Sequence, residues 1–386
     1  MIEGELITDI AALEALVPEW DSLAVAASNP VTGPAWVLAW WHHLGSPGLR
    51  PRVVAVRDGR ELIGLAPFYA CPGRRGVVEY RLMGGDFGMC MEPLARVGRE
   101  WDVAREIGQS LARASPPPNM VAFGPMTLAS HWIEALRSQW PGPMLGVVRR
   151  QRVDGAPVIV LHEPSFDAWF ASFSPKIRRD LRRSERLFEE AGGTSRWSTA
   201  ETFRADAEAF SNLHKSRWDS RGWSRLSDLG DNLTDWLHQL GGEPFEQDRL
   251  RMCVLEVAGS PICVNFSLVA GGEFATVNSG WDERYARLAP AKIAVLRLML
   301  DAYRLECRRV HLGAGNLANK LRLANGNDPI ARTVFLPPSS RLPQTYGTLL
   351  PGFARTRARD VAARALPPDS FEAAKKLFYR LPISRG

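Results

Sequence analysis

The chain has 386 residues, 45% hydrophobic and 23% charged, which is ordinary globular composition and length enough for two domains with their own cores. No apolar run approaches the roughly 18 residues of a membrane-spanning helix, and Met1 to Ile10 carries acids without a basic stretch, so no secretory signal is expected there. Five cysteines, Cys71, Cys90, Cys253, Cys263 and Cys307, form no CxxC pair, which argues against a zinc knuckle or a disulfide framework and points to a reducing cytoplasm.

The chain opens with an amphipathic helix, Ile10 to about Ala26, carrying Leu13, Leu16, Val17, Trp20 and Leu23. A second helix follows Gly33-Pro34, and its Trp36, Trp40 and Trp41 are too aromatic for a solvent face. Arg52–Arg57 and Glu61–Tyr69 flank Asp58-Gly59 and read as a hairpin. A strand from Gly76 to Leu82 leads into a glycine-rich loop holding Asp86, then a helix from Trp101 to Ala114 and a strand from Met120 to Phe123. Two more strands are expected at Met144–Arg150 and Pro157–Leu161.

Beyond them Ser174 is a good N-cap and Pro175 suits the first helical position, so an arginine-rich helix should run to Gly192-Gly193. Ile262–Ala270 and Phe274–Asn278 pair around Gly271-Gly272. A helix from Pro290 to Glu306 carries Ile293, Leu296, Leu300 and Tyr303 at helical spacing, and Arg309–Gly313 reads as a short strand. Ile330–Leu336 is the last strand. The two halves repeat the same elements in the same order about 190 to 200 residues apart, which points to a tandem duplication. The expected division is residues 1–150, 151–340 and a basic tail, 341–386, with a ligand cleft at the junction. Residues 352–386 supply +5 of the chain's net +6. That tail suits RNA, a membrane surface or an acidic carrier protein, or is a solvated pair of helices.

Tyr285, Leu288, Ala289, Pro290 and Ala291, then Val310–Gly315 and Lys320, resemble the turn, helix, strand and lysine of CelD-like acyltransferases in the GNAT superfamily, related to FemABX. The Trp-rich N-terminal stretch, the helix with Lys176 and arginines, and Leu213-His214-Lys215-Ser216-Arg217-Trp218-Asp219-Ser220-Arg221-Gly222 are similar to the same group. Ala291 stands in place of a turn glycine, and Asn319 in place of a tyrosine before the lysine. The resemblance implies a mixed α/β (α+β) fold of two tandem GNAT-like domains, each a central mixed sheet flanked by helices. It also implies direct attack of an amine on an acyl thioester.

That chemistry needs a deprotonated amine, hydrogen-bond donors for the thioester oxygen and a proton for the thiolate. The resemblance puts the donor's pantetheine beside Phe274–Asn278, so Asn278 and neighbouring amides would bind it. Ala289, Ala291 and Lys292 would face the pyrophosphate of acyl-CoA through free amides, the helix dipole and a cation. His311 is the histidine candidate for base or proton relay, or else a core residue. Tyr285 could protonate the thiolate or simply pack on the helix. Lys320 is the residue on which the resemblance falls directly. Arg178 and Arg182 could hold an anionic substrate, or belong to a solvated face balanced by Asp180, Glu185, Glu189 and Glu190. His214 and Trp218 share a helix face and, with Arg217, could line the acceptor pocket. Asp86 could orient a cationic amine or be a turn residue.

No metal-ligand spacing, Walker A sequence, GxGxxG or nucleophile elbow occurs. The expectation is therefore an N-acyltransferase, monomeric or homodimeric, using acyl-CoA or an acyl carrier protein and acting on an amino group of a sugar or small metabolite. Its rivals are a FemABX-like aminoacyl-tRNA-dependent transferase, in which tRNA is the partner, and a non-catalytic scaffold of a polysaccharide or envelope pathway.

Overall fold

The computed structural model describes residues 1–365 apart from 74, 75, 86–89, 143, 145, 222, 223, 247 and 248. The first half begins with strand β1 (Ile2–Ile7), helices α1 (Ile10–Glu14), α2 (Val17–Ala26) and α3 (Pro34–Leu44), and strands β2 (Arg50–Asp58), β3 (Glu61–Pro72), β4 (Val78–Leu82) and β5 (Leu94–Ala95). It continues through α4 (Glu100–Arg113), β6 (Met120–Thr127), α5 (Trp132–Gln139) and β7 (Val147–Val160). The second half contains α6 (Phe166–Ser172), α7 (Pro175–Glu190), β8 (Gly193–Trp197), α8 (Phe203–Arg221), α9 (Leu233–Glu246), β9 (Leu250–Val257), β10 (Ser260–Ala270) and β11 (Glu273–Trp281). It ends with α10 (Pro290–Arg304), β12 (Arg309–His311), α11 (Ala318–Leu321), β13 (Gly326–Leu336) and α12 (Leu342–Ala365).

Local chemistry accounts for several boundaries. The expected helix over residues 10–26 is two helices, because Pro18 in the first turn of α2 has no N–H to continue the ladder from α1. Ser174 caps α7, its Oγ accepting from the Ile177 amide at 3.4 Å. Residues 147–160 form one strand rather than two, and a register shift against β13 beside Asp154 absorbs the irregularity that looked like a turn. α10 buries Ile293, Leu296, Met299 and Ala302, whereas Leu300, expected on that stripe, is 42% exposed.

All strands join one sheet in the order β1-β2-β3-β4-β6-β13-β7-β12-β11-β10-β9-β8, with β5 beside β3. The order is palindromic. The parallel pair β4–β6 in the first half answers the parallel pair β11–β12 in the second, and the remaining neighbours are antiparallel. The last strand of each half is exchanged. β7 pairs with β12 of the second half, β13 pairs with β6 of the first, and β7 and β13 pair with each other along eleven positions.

The largest core runs through both halves. Trp36 of α3 meets Trp236 of α9 edge-on, and Trp236 in turn meets Phe266 of β10, with centroids 5.2 and 6.1 Å apart. A second core, between α10 and the sheet, contains Phe274, Leu296, Met299 and Val310. No helix among the described residues is long and apolar enough to cross a membrane.

Candidate active site

The site is organised by the way β11 and β12 part. Their parallel pairing has only three rungs, Glu273–Arg309, Phe274–Val310 and Ala275–His311. Beyond these β11 continues with β10 to Trp281, while the chain after His311 follows β7, with the Leu312 amide donating to the Pro157 carbonyl at 3.0 Å and the Gly315 amide to the Gly155 carbonyl at 2.9 Å. A bulge at Val277, where Phe266 pairs with Asn278 and Ser267 already pairs with Thr276, turns β11 further. The strands therefore enclose a wedge.

Lys320, on α11, stands at the throat of the wedge. Its Nζ donates to the Gly313 carbonyl at 3.3 Å and to the Ala314 carbonyl at 3.1 Å. Gly313 has φ +77°, a left-handed backbone that favours glycine, and a Cβ there would sit at ordinary contact distance, 3.5 Å, from both Lys320 Nζ and the Thr276 carbonyl. The Thr276 hydroxyl is buried and has no hydrogen-bond partner among the described residues. Sequence reasoning missed Thr276, since its place past the last rung depends on where two distant strands separate.

His311 occupies the last rung. Its Nε2 lies 2.7 Å from Glu273 Oε2 across the β11–β12 pair, and the imidazole is 34% exposed. It is neither a buried core histidine nor an isolated base. The carboxylate that fixes it was invisible in the sequence because Glu273 reads there as a residue beside a Gly-Gly turn.

The start of α10 differs from the expected phosphate cradle. Ala289 is left-handed (φ 53°), and its own amide donates to the Ala286 carbonyl. Pro290 has no N–H. The Lys292 and Ile293 amides both donate to the Ala289 carbonyl, at 2.9 and 3.3 Å, leaving the Ala291 amide without a backbone acceptor among the described residues. The Lys292 ammonium is turned away to α7, donating to Asp180 Oδ2 at 2.9 Å and Ser184 Oγ at 3.3 Å. This hydrogen bond and the nearby Arg322 hold the Asp180 carboxyl below its ordinary pKa. Asn278 is likewise engaged, its Oδ1 accepting from the Ser279 amide at 2.7 Å.

Tyr285 packs at the edge of the cluster formed by Phe188, Leu255 and Ile293. Arg178 donates to the Ala171 carbonyl at 2.6 Å, closing the end of α6, and Arg182 lies over the Phe170 ring at 5.4 Å. Asp180 and Glu185, expected to balance the arginines of their own helix, instead bind Lys292 and Arg297 of α10. Asp86 lies outside the described residues.

α8 crosses the far end of β11 so closely that a Cβ on Gly280 would lie 2.9 Å from the His214 nitrogen. His214 is 1% exposed, stacks on Phe210 and has its Nε2 3.0 Å from Ser224 Oγ. Burial, and next the Arg217 charge, lower its pKa to about 4, so it is neutral at pH 7. Trp218 is on the same face, 6.1 Å from His214 between centroids, and the Arg217 guanidinium lies 4.8 Å over the Trp281 ring. These three residues form one aromatic and cationic group beside the wide end of the wedge, with His214 packed inside it.

In the first half, burial raises the Glu92 carboxyl to about 7 against the opposing effect of a Ser130 hydrogen bond. Its backbone carbonyl accepts from Thr32 Oγ1 at 2.9 Å.

β11 leads through a short turn into α10, and its parallel pairing with β12 opens after three rungs. Residues 175–321, which span this wedge, match the acetyltransferase (GNAT) domain family. The fold of the whole chain is similar to that of FemX (TM-score 0.62, 10% identity, covering 89% of this chain and 99% of that one). It is also similar to a conserved protein of unknown function from Bacteroides thetaiotaomicron (0.54, 11%, 87% and 100%) and to L-PGS from Bacillus licheniformis (0.52, 13%, 91% and 96%). No curated protein sequence matches.

Proposed function

We propose that the chain is an N-acyltransferase that moves an acyl group from a thioester to an amino group of a sugar or other small metabolite. One observation carries this reading: the family match covers a β11–β12 wedge whose throat holds the Lys320 ammonium, beside Thr276, whose buried hydroxyl has no partner among the described residues. The thioester arm lies along β11 past Ala275. The amine nitrogen attacks the carbonyl carbon, its proton passes to His311 held by Glu273, and the C–S bond breaks. Lys320 and Thr276 donate to oxygen or sulfur as negative charge develops there. Arg217 and Trp218 border the acceptor side. The halves, expected to divide near residue 150, join instead in the connection between β7 and α6, and α12 with the residues after it forms the basic tail.

The test is thiol release from acyl-CoA and acyl-carrier thioesters across a panel of amino sugars and amino acids. Turnover that requires an amine supports the reading; thioester hydrolysis indifferent to any amine refutes it. A FemABX-like, aminoacyl-tRNA-dependent transferase is the second reading, favoured by the full-length likeness to the FemX fold. Salt-sensitive binding of aminoacyl-tRNA with transfer of its aminoacyl group distinguishes it.

A further inference from the structure

We propose that Lys176, Arg179 and Arg183 of α7 form a docking ridge for an acidic protein that presents the acyl group on a phosphopantetheine arm. The proposal rests on the thioester reading and names the carrier of that thioester.

Two features lead to it. The first is what α10 withholds. Coenzyme A brings a pyrophosphate and a further phosphate, which need several donors, whereas a carrier-borne arm brings a single phosphodiester. At the start of α10 the Lys292 amide and ammonium are both taken, the Ile293 amide is taken and Pro290 has none, so the Ala291 amide remains. One amide matches one phosphodiester oxygen better than it matches a pyrophosphate.

The second is what α7 exposes. Asp180 receives Lys292 from α10 and Arg322 from just after α11, so it ties together the two lips of the wedge. Glu185 receives Arg297, and Glu190 pairs with Arg186. With those acids engaged, Lys176, Arg179 and Arg183 are exposed and have no carboxylate partner among the described residues. At about 100° per residue they lie on the stripe next to Asp180, on the side away from buried Leu181, Ser184 and Phe188. Seven rises of about 1.5 Å from Lys176 to Arg183 give a ridge about 10 Å long, the scale of one acidic helix. A nucleic acid would call for a broader basic surface, yet residues 1–351 together carry only +1. The ridge thus supplies by surface attraction the affinity that the missing cradle does not.

The experiment uses the full chain and a fluorescently labelled acidic acyl carrier protein in its holo form, with apo carrier, CoA, 4′-phosphopantetheine and bulk tRNA as competitors. The expected result is that holo carrier binds at least tenfold tighter than CoA and that its affinity falls as salt rises from 50 to 300 mM, which shortens the screening length to about two-fifths. The triple variant Lys176→Glu/Arg179→Glu/Arg183→Glu should weaken holo carrier at least tenfold while leaving 4′-phosphopantetheine affinity and the thermal midpoint unchanged. Equal carrier binding by the triple variant, CoA binding as tightly as the carrier, or tRNA binding in the carrier's place overturns the proposal. If CoA is a tight donor and the carrier is not bound, the docking ridge falls and the thioester reading stands. If none of the three pantetheine-bearing probes binds, both fall.

Discussion

Replacing Lys320 by methionine nearly keeps the side chain's length and removes its charge, which makes it the sharpest probe of the wedge. The ammonium is held by two backbone carbonyls at 3.1 and 3.3 Å, longer than the roughly 2.7–2.9 Å of strong charge-assisted hydrogen bonds. Both carbonyls belong to a partly exposed loop that water can reach, so the substitution should lower stability by no more than about 1 kcal/mol. Loss of a donor aimed at developing charge has a larger effect, about 10²- to 10³-fold in kcat, or roughly 2.7–4 kcal/mol. The two numbers separate the roles. Urea unfolding gives the first, and thiol release at saturating thioester and amine gives the second. Unchanged kcat in a folded Lys320→Met variant, or a fall in kcat that merely tracks lost stability, removes Lys320 from the chemistry.

Gly280→Ala places a Cβ about 3 Å from the His214 nitrogen, Leu213 Cβ and the Phe210 carbonyl, two of them backbone atoms, and should destabilise by about 1–3 kcal/mol in urea; a neutral substitution would mean that α8 yields freely. Asp180→Asn should release the Lys292 ammonium, lower stability by less than about 1 kcal/mol because the pair is a third exposed, and raise CoA affinity severalfold by calorimetry. No gain would show that Lys292 does not reach the phosphates. Glu92, raised from 4.5 to about 7, makes the fold less stable as pH rises between those values, because the native state keeps a proton that the unfolded chain releases. His214, lowered from 6.5 to about 4, acts in the opposite sense: its stability contribution is complete above 6.5 and is lost as pH falls towards 4. Each effect is of the order of 3 kcal/mol at about 1.4 kcal/mol per pH unit. Glu92→Gln should therefore be more stable than wild type at pH 8 and show a steeper loss of stability on acidification from 6.5 to 4; unfolding curves that superimpose across pH would contradict the burial of that carboxyl.

Local signals carried much of the fold. The Gly271-Gly272 turn, the Ser174-Pro175 helix start and the Pro290 helix start all describe interactions within a few residues, and each element formed where those signals put it. The edge strands β1 and β8 were missed because their partly exposed residues lack an apolar run. Strand exchange was missed for a different reason. Whether residues 147–160 pair with β6 or with β12 is settled by contacts about 150 residues away, which no periodicity encodes. The site divides similarly. Lys320 reaches the wedge from a stretch that the motif flagged, whereas the destination of the Lys292 ammonium depends on α7 lying against α10, 112 positions distant in the chain. His311 was visible as a titratable side chain, but its carboxylate partner came from across a three-rung strand pair.

The exchanged strands make the two halves inseparable as folding units. A fragment ending before β13 leaves one edge each of β6 and β7 unpaired in the middle of the sheet, where exposed strand edges invite association with another chain. Cut between β7 and α6 and expressed together, the two pieces could restore the sheet only by each lending its final strand to the other. The molecule is therefore a natural candidate for a split reporter whose signal depends on complementation, with the break placed in the connection between β7 and α6.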